Sequence, residues 1–249
     1  MMKKSVWLTG LITMLVFTLA IGIPSDKHTA KRITHKNSSK PKAIIADSTA
    51  RQLYEKVGLA KRGLGWETFQ KAWNGFTKLN AKGLIKNQLL TIADMSQPSC
   101  QKRLYIIDIS SKKLVINTLV AHGKNTGNVT AARFSNIHES LQSSLGFYIT
   151  GGTYQGGNGY SMRLKGMEKG FNDNAESRAI VMHGAPYVSE EIAKQTGRIG
   201  RSWGCPAVSL KEHQTIIDLV KNGSCLYVFA PQKQYLAHSS LSNFGSNSL

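Results

Sequence analysis

The residue types capable of nucleophilic catalysis gather in one stretch, residues 178–207, which reads RAIVMHGAPYVSEEIAKQTGRIGRSWGCPA. It holds His183-Gly184 and then Ser202-Trp203-Gly204-Cys205. A free cysteine is only a few per cent thiolate at neutral pH, so a nucleophilic one needs an adjacent base or a positive field. His183 can supply the first, Arg198 and Arg201 the second. Gly204 lets backbone approach a substrate carbonyl, whereas Pro206 has no N–H, so the oxyanion donors fall to the N–H of Cys205 and of Gly204 or Trp203. A cysteine taken singly is more often core than nucleophile, and a lone histidine says less. The combination decides: a core cysteine has no use for a Gly- and Arg-rich loop or for a histidine at the end of a strand.

The elements that must position these residues can be read around them. Ala179-Ile180-Val181-Met182 is a short bounded apolar run, as in a buried strand, and places His183 at its end beside the flexible Gly184. Ser189 followed by Glu190 and Glu191 starts a short helix that Gly197 stops. After the cysteine, Ser209 and Glu212 form a capping box for a helix through Val220 that ends at Asn222-Gly223, and a strand from Cys225 to Ala230 closes at Pro231.

Upstream, LYIIDI and KLVINTLVA around Ser110-Ser111-Lys112 read as a hairpin. A second His-Gly, His122-Gly123, is a lesser alternative for the base. Residues 145–164 hold two strand-like runs around a loop dense in glycine, read either as a plain hairpin or as a border of the cleft with Tyr154 or Tyr160 on the substrate. Asp173 and Glu176 read as turn residues, or as partners for a basic substrate group. Before the sheet come a helix from about Ser48 and a second from Trp66, where Trp66, Phe69, Trp73, Phe76 and Leu79 recur at helical spacing. Such a stripe belongs to packing more often than to a glycan platform.

These residues resemble the L,D-transpeptidases of bacterial cell walls, whose signature is His-Gly, a spacer and Ser/Thr-x-Gly-Cys. The likeness is nearest to the murein L,D-transpeptidase branch with Cys-Pro-Ala-Val, here Cys205-Pro206-Ala207-Val208, and runs over roughly residues 144–230, more faintly back to Leu64. It implies a mostly β fold with α, a β-sandwich or barrel with flanking helices, preceded by a small helical segment. It further implies Cys205 as nucleophile and His183 as base, with Ser202, Trp203, Gly204, Gly184, Arg201 and Tyr160 around the oxyanion and the substrate. Peptidoglycan stem peptides are the implied substrate, carbapenem-type β-lactams the implied acylating inhibitors, and no metal or organic cofactor is implied. Many family members carry an arginine where this chain has Ala207, a role that would pass to Arg201 or Arg198. For the imidazole's other nitrogen, a backbone carbonyl near residues 200–202 is expected.

The 249 residues carry 32 Lys and Arg against 14 Asp and Glu, a formal charge of +18. The basic residues are scattered rather than gathered in a nucleic-acid motif, which argues against that partner. Lys3-Lys4 before an uncharged run over residues 5–25 read as a secretory signal or membrane anchor, hence export to the periplasm or cell envelope, where the charge would seek anionic envelope polymers. The expected organisation is leader or anchor 1–25, flexible linker 26–46, helical accessory segment 47–98, catalytic domain 99–231 and polar tail 232–249. With Cys205 kept as a thiol, Cys100 and Cys225 remain as a pair able to form a disulfide. A zinc site from Cys205, His213 and Cys225 fits no common spacing. An L,D-carboxypeptidase using water and a non-catalytic wall-binding protein are the alternative functions.

Overall fold

The structure, a computed structural model, describes residues 39–243; the leader or anchor and most of the linker expected from sequence lie outside the described residues. Helix α1 (Ser39–Val57) begins within the stretch read as linker, and a 3-10 turn (Ala60–Arg62) leads to α2 (Trp66–Ala81). The aromatic stripe of α2 does what its spacing predicts: Phe69, Trp73, Phe76 and Leu79 are buried, with Phe69 stacked on Trp73 and Trp73 on Phe76. It is core, not a glycan platform.

Gly75 lets α2 lie close to the sheet, because a Cβ there would fall on the ring of Phe147. Gly75→Ala is therefore expected to cost about 1–3 kcal/mol through overpacking. The cost would appear in thermal melts as about 2–4 °C per kcal/mol; an unchanged melt would mean that the helix can lift off freely.

Eight strands form one mixed sheet: β1 (Leu89–Asp94), β2 (Leu104–Asp108), β3 (Lys113–Thr118), β4 (Gly146–Gly156), β5 (Gly159–Gly166), β6 (Val181–Ala185), β7 (Ala207–Ser209) and β8 (Cys225–Phe229), in the order β3-β2-β1-β8-β4-β5-β6-β7. The pairs β1/β8 and β6/β7 are parallel, the rest antiparallel. Past β3 the chain crosses to the far edge, where Ala121 pairs with Ala207 of β7 through an N–H···O bond of 2.8 Å. This link joins the two edges and gives the sheet its barrel-like closure, removing edges that would otherwise pair elsewhere. Helices α3 (Glu190–Thr196), α4 (His213–Val220) and α5 (Lys233–His238) complete the fold, which is mostly β with flanking helices.

Several expectations need correction. The segment read as helical through residue 98 contains β1, which sits in the sheet between β2 and β8; six residues, four of them apolar, carry no period that separates strand from helix. Of the two readings of residues 145–164 the hairpin is the one that forms: β4 pairs with β5 antiparallel up to Gly156 and Gly159, irregular only between Thr150 and Thr153. The tail is not merely polar. Glu168, buried beneath it, accepts hydrogen bonds from Phe147 N–H, Tyr235 Oη and Ser239 Oγ, and Lys78 donates to the carbonyls of Ser240 and Asn243. Sheet, α2 and α5 are thereby tied together.

All three cysteines are free thiols. Cys225 starts β8 opposite Leu90, whereas Cys100 follows Asp94, whose partner is Phe229 at the other end of that strand. Cys100 packs against the separate small cluster that contains Leu119, Ala121 and Ala185, whereas Cys225 belongs to the main core. The zinc reading also fails on placement: β8 lies three places from β6 in the sheet, and among the described residues no three His, Cys, Asp or Glu side chains converge as metal ligands.

Candidate active site

His183 lies in β6, register partner of Ser161 on β5 and of Ala207 on β7. Side chains of register partners project from one face of a sheet. Cys205 lies in the bend two residues before Ala207, just ahead of β7, the strand that runs parallel to β6. Cys205 and His183 are both buried, with exposures of 8% and 4%.

The histidine is fixed by its own neighbour. Its Nδ1 lies 2.9 Å from the Gly184 carbonyl oxygen, which can only accept, so Nδ1 carries the proton and Nε2 keeps the free lone pair. The expected carbonyl is present, but it belongs to Gly184 and not to the loop at 200–202. Burial holds the His183 pKa below the ordinary 6.5, with the charge of His213 adding to the effect and the Gly184 carbonyl opposing it. The ring is neutral at pH 7. Gly184 cannot be enlarged, since a Cβ would come within 2.6 Å of the His213 ring.

The thiol of Cys205 receives the Val181 N–H at 3.5 Å and points its own hydrogen to the Ala179 carbonyl at 3.8 Å. Burial raises its pKa above the ordinary range, opposed by the Val181 N–H and the Arg178 charge. At rest the pair is thus neutral thiol and neutral imidazole. Among the described residues no hydrogen bond joins them.

The loop before Cys205 is held by Ser202, whose N–H donates to the His122 carbonyl and whose Oγ donates to Cys205 O at 2.6 Å and accepts from Gly204 N–H at 3.1 Å. The Gly204 N–H is thereby spent. Among the described residues the N–H groups of Trp203 and Cys205 carry no hydrogen bond to another residue. Trp203 itself is 76% exposed, two residues before Cys205.

Gly204 has φ 129°, and a Cβ there would meet the Gln142 carbonyl oxygen at 2.7 Å. Gly204→Ala is expected to cost about 1–3 kcal/mol of backbone strain and to displace the cysteine enough to slow acylation about a hundredfold. Urea unfolding and adduct formation measure the two effects separately.

Other residues fall away from the site. Tyr160 is adjacent to Ser161 and so points to the opposite face from His183, where its Oη donates to Asp218 Oδ1 of α4 at 2.7 Å. Tyr154 packs against the Arg163 guanidinium. Arg201 donates to the carbonyls of Lys124 and Gly127, and Arg198 to that of Ile199; neither serves as the cation at Cys205. Asp173 accepts from Asn136 and from Gly170 N–H, as a loop-tying residue does. His122 is fully buried, its Nδ1 accepts from Arg103 at 2.7 Å, and burial followed by the Arg103 charge holds its pKa down at about 4.

Ala207 packs in a small cluster with Leu119, Ala121, Ala185, Val188 and Ile199, which leaves no room for an arginine. A cavity of about 480 Å³ opens beyond His183, lined by Ala185, Pro186, Val188, Ser209 and Glu212 among others, and includes neither Cys205 nor His183.

A family model described as the L,D-transpeptidase catalytic domain matches residues 60–229. The chain belongs to this family. Solved structures similar to it include an L,D-transpeptidase from Mycobacterium smegmatis, at 14% identity over 57% of this chain and 59% of that one, TM-score 0.35. Another is the helical cell shape determining protein Pgp2 (K307A mutant) from Campylobacter jejuni, at 14% identity over 67% and 57% of the two chains, TM-score 0.37. Each match spans less than two thirds of the other protein's length. Comparison with curated protein sequences found no match. Within the matched L,D-transpeptidase domain lie β1 to β8, α2 to α4, His183 and Cys205.

Proposed function

We propose that this L,D-transpeptidase domain is an exported cysteine acyltransferase acting on peptidoglycan stem peptides, with Cys205 as nucleophile and His183 as its base. The observation that carries the reading is a buried thiol, just ahead of β7, that accepts the Val181 N–H of β6, the strand that also carries an imidazole whose Nδ1 is pinned to Gly184 O, leaving Nε2 as the basic atom.

Sγ attacks the carbonyl that joins a diamino-acid residue to the terminal D-alanine of a donor stem. The thiol proton passes to His183, and the oxyanion is received by the N–H groups of Trp203 and Cys205. The C–N bond then breaks, His183 protonates the departing D-alanine amine, and a thioester remains. A side-chain amine of a second stem attacks the thioester, gives its proton to His183, forms the new amide and releases the thiol. Water in place of the amine gives carboxypeptidase action at the same site.

The test is incubation with a tetrapeptide stem, separately with and without a second stem as amine acceptor, followed by mass spectrometry of the products. Free D-alanine with a crosslinked dimer supports the transpeptidase, and free D-alanine with only tripeptide moves the reading to the carboxypeptidase. No D-alanine from folded protein leaves a wall-binding module. The charge of +18 supports attraction to anionic envelope polymers, which binding measured against salt would check. A membrane tether would lie in residues 1–25, outside the described residues; no described helix is long and apolar enough to cross a membrane.

A further inference from the structure

Arg178 stands just before β6 and reaches across to the segment between β3 and β4. Its Nη1 donates to the Ser135 carbonyl at 2.9 Å and to Ser144 Oγ; its Nη2 donates to Ser140 Oγ at 3.1 Å and to the Gln142 carbonyl at 2.8 Å. That segment backs the cysteine loop. The Gln142 carbonyl abuts Gly204, and Ser143 Oγ donates to the Gly204 carbonyl at 3.0 Å. On its other side Arg178 is followed by Ala179, which turns into the left-handed region at φ 53° and offers its carbonyl to the Cys205 thiol.

Arg178 therefore grips both structures that place Sγ. Among the described residues no carboxylate forms an ion pair with it. The protein partners of this half-buried guanidinium are all carbonyls and hydroxyls, which leave its charge without a counter-ion, while Arg198 and Arg201, the cations suggested by sequence, are tied elsewhere.

We propose that Arg178 is a positioning residue for Cys205 whose charge stabilises the thiolate, held in place by the braced 135–144 segment. The proposal rests on the reading of Cys205 as nucleophile. The interaction is mutual: the Arg178 charge lowers the Cys205 pKa and the thiolate raises that of Arg178, each against the larger effect of burial.

The test is the rate of Cys205 alkylation by iodoacetamide against pH in the full chain, with peptide mass spectrometry to separate Cys205 from Cys100 and Cys225. Arg178→Gln should raise the midpoint by about one pH unit, a tenfold loss of rate below both midpoints. Arg178→Lys, which keeps the charge, and Ser144→Ala, which removes one brace, should keep the midpoint near that of the wild type. An unchanged midpoint in Arg178→Gln, or equal shifts in all three variants, would overturn the proposal by leaving Arg178 a structural brace only. If Arg178→Gln loses its cooperative melt, the wild type decides. Anionic iodoacetate should then gain on neutral iodoacetamide at Cys205 relative to Cys100, and an equal ratio at the two cysteines rejects the charge. Alkylation needs no acyl donor. A chain that behaves in this way yet is never acylated by a stem peptide keeps the Arg178 assignment and loses the transpeptidase reading.

Discussion

Replacing Cys205 with alanine is expected to abolish covalent capture of an acyl donor, taking turnover below detection; removal of a nucleophile costs on the order of 10⁶ in kcat where it has been measured in a protease. Intact mass spectrometry after incubation with a carbapenem reads this directly, since opening of the strained lactam by Sγ adds the whole inhibitor mass. The wild type should gain one such mass and Cys205→Ala none. The thiol is only 8% exposed, so the protein must stay folded for the comparison to count. Fold should survive, because the change trims one sulfur from a site whose loop is held chiefly by Ser202. Cys100 is the internal control: it is a free and more exposed thiol, and an adduct there in place of Cys205 would refute the assignment of the nucleophile.

His183→Ala should slow acylation about 10²- to 10⁴-fold, the range of general acid–base catalysis, and should also change the shape of the pH dependence. As a base the imidazole must be neutral. Burial keeps the His183 pKa below 6.5, so wild-type activity should hold as pH falls through 6.5 and decline only below it. In His183→Ala, reaction depends on spontaneous ionisation of a thiol whose pKa is raised by burial. The residual rate should therefore climb with pH past neutrality, where the wild type is already flat. Stopped-flow or quenched acylation between about pH 5 and 10 measures both limbs. A wild-type acid limb at or above 6.5, or a variant profile parallel to that of the wild type, would remove His183 as the base.

What the sequence determined by itself is the local structure. His-Gly after an apolar run and S-x-G-C in a glycine-rich loop carry their reading in residue type and short spacing. So do the Ser189 cap, whose Oγ accepts the Ile192 N–H, and the Gly197 stop, both of which appear in α3. The Ser209–Glu212 pair forms as well, its hydroxyl and carboxylate 2.7 Å apart, although α4 proper begins only at His213. The aromatic stripe of α2 was legible because helical periodicity encodes a buried face.

The tertiary structure decided everything that depends on partners distant in the chain. Strand β1 is too short to announce its type, and only pairing with β2 and β8 makes it a strand. Tyr160 looked available until register with His183 put it on the other face. The three arginines near the cysteine loop are alike as letters, and only their hydrogen bonds separate two that serve neighbouring carbonyls from Arg178, which grips the 135–144 segment. Spacing along the chain fixes which groups can share a turn or a helix face, whereas distance, burial and field at a site are set by segments that meet only when the sheet closes through Ala121 and Ala207.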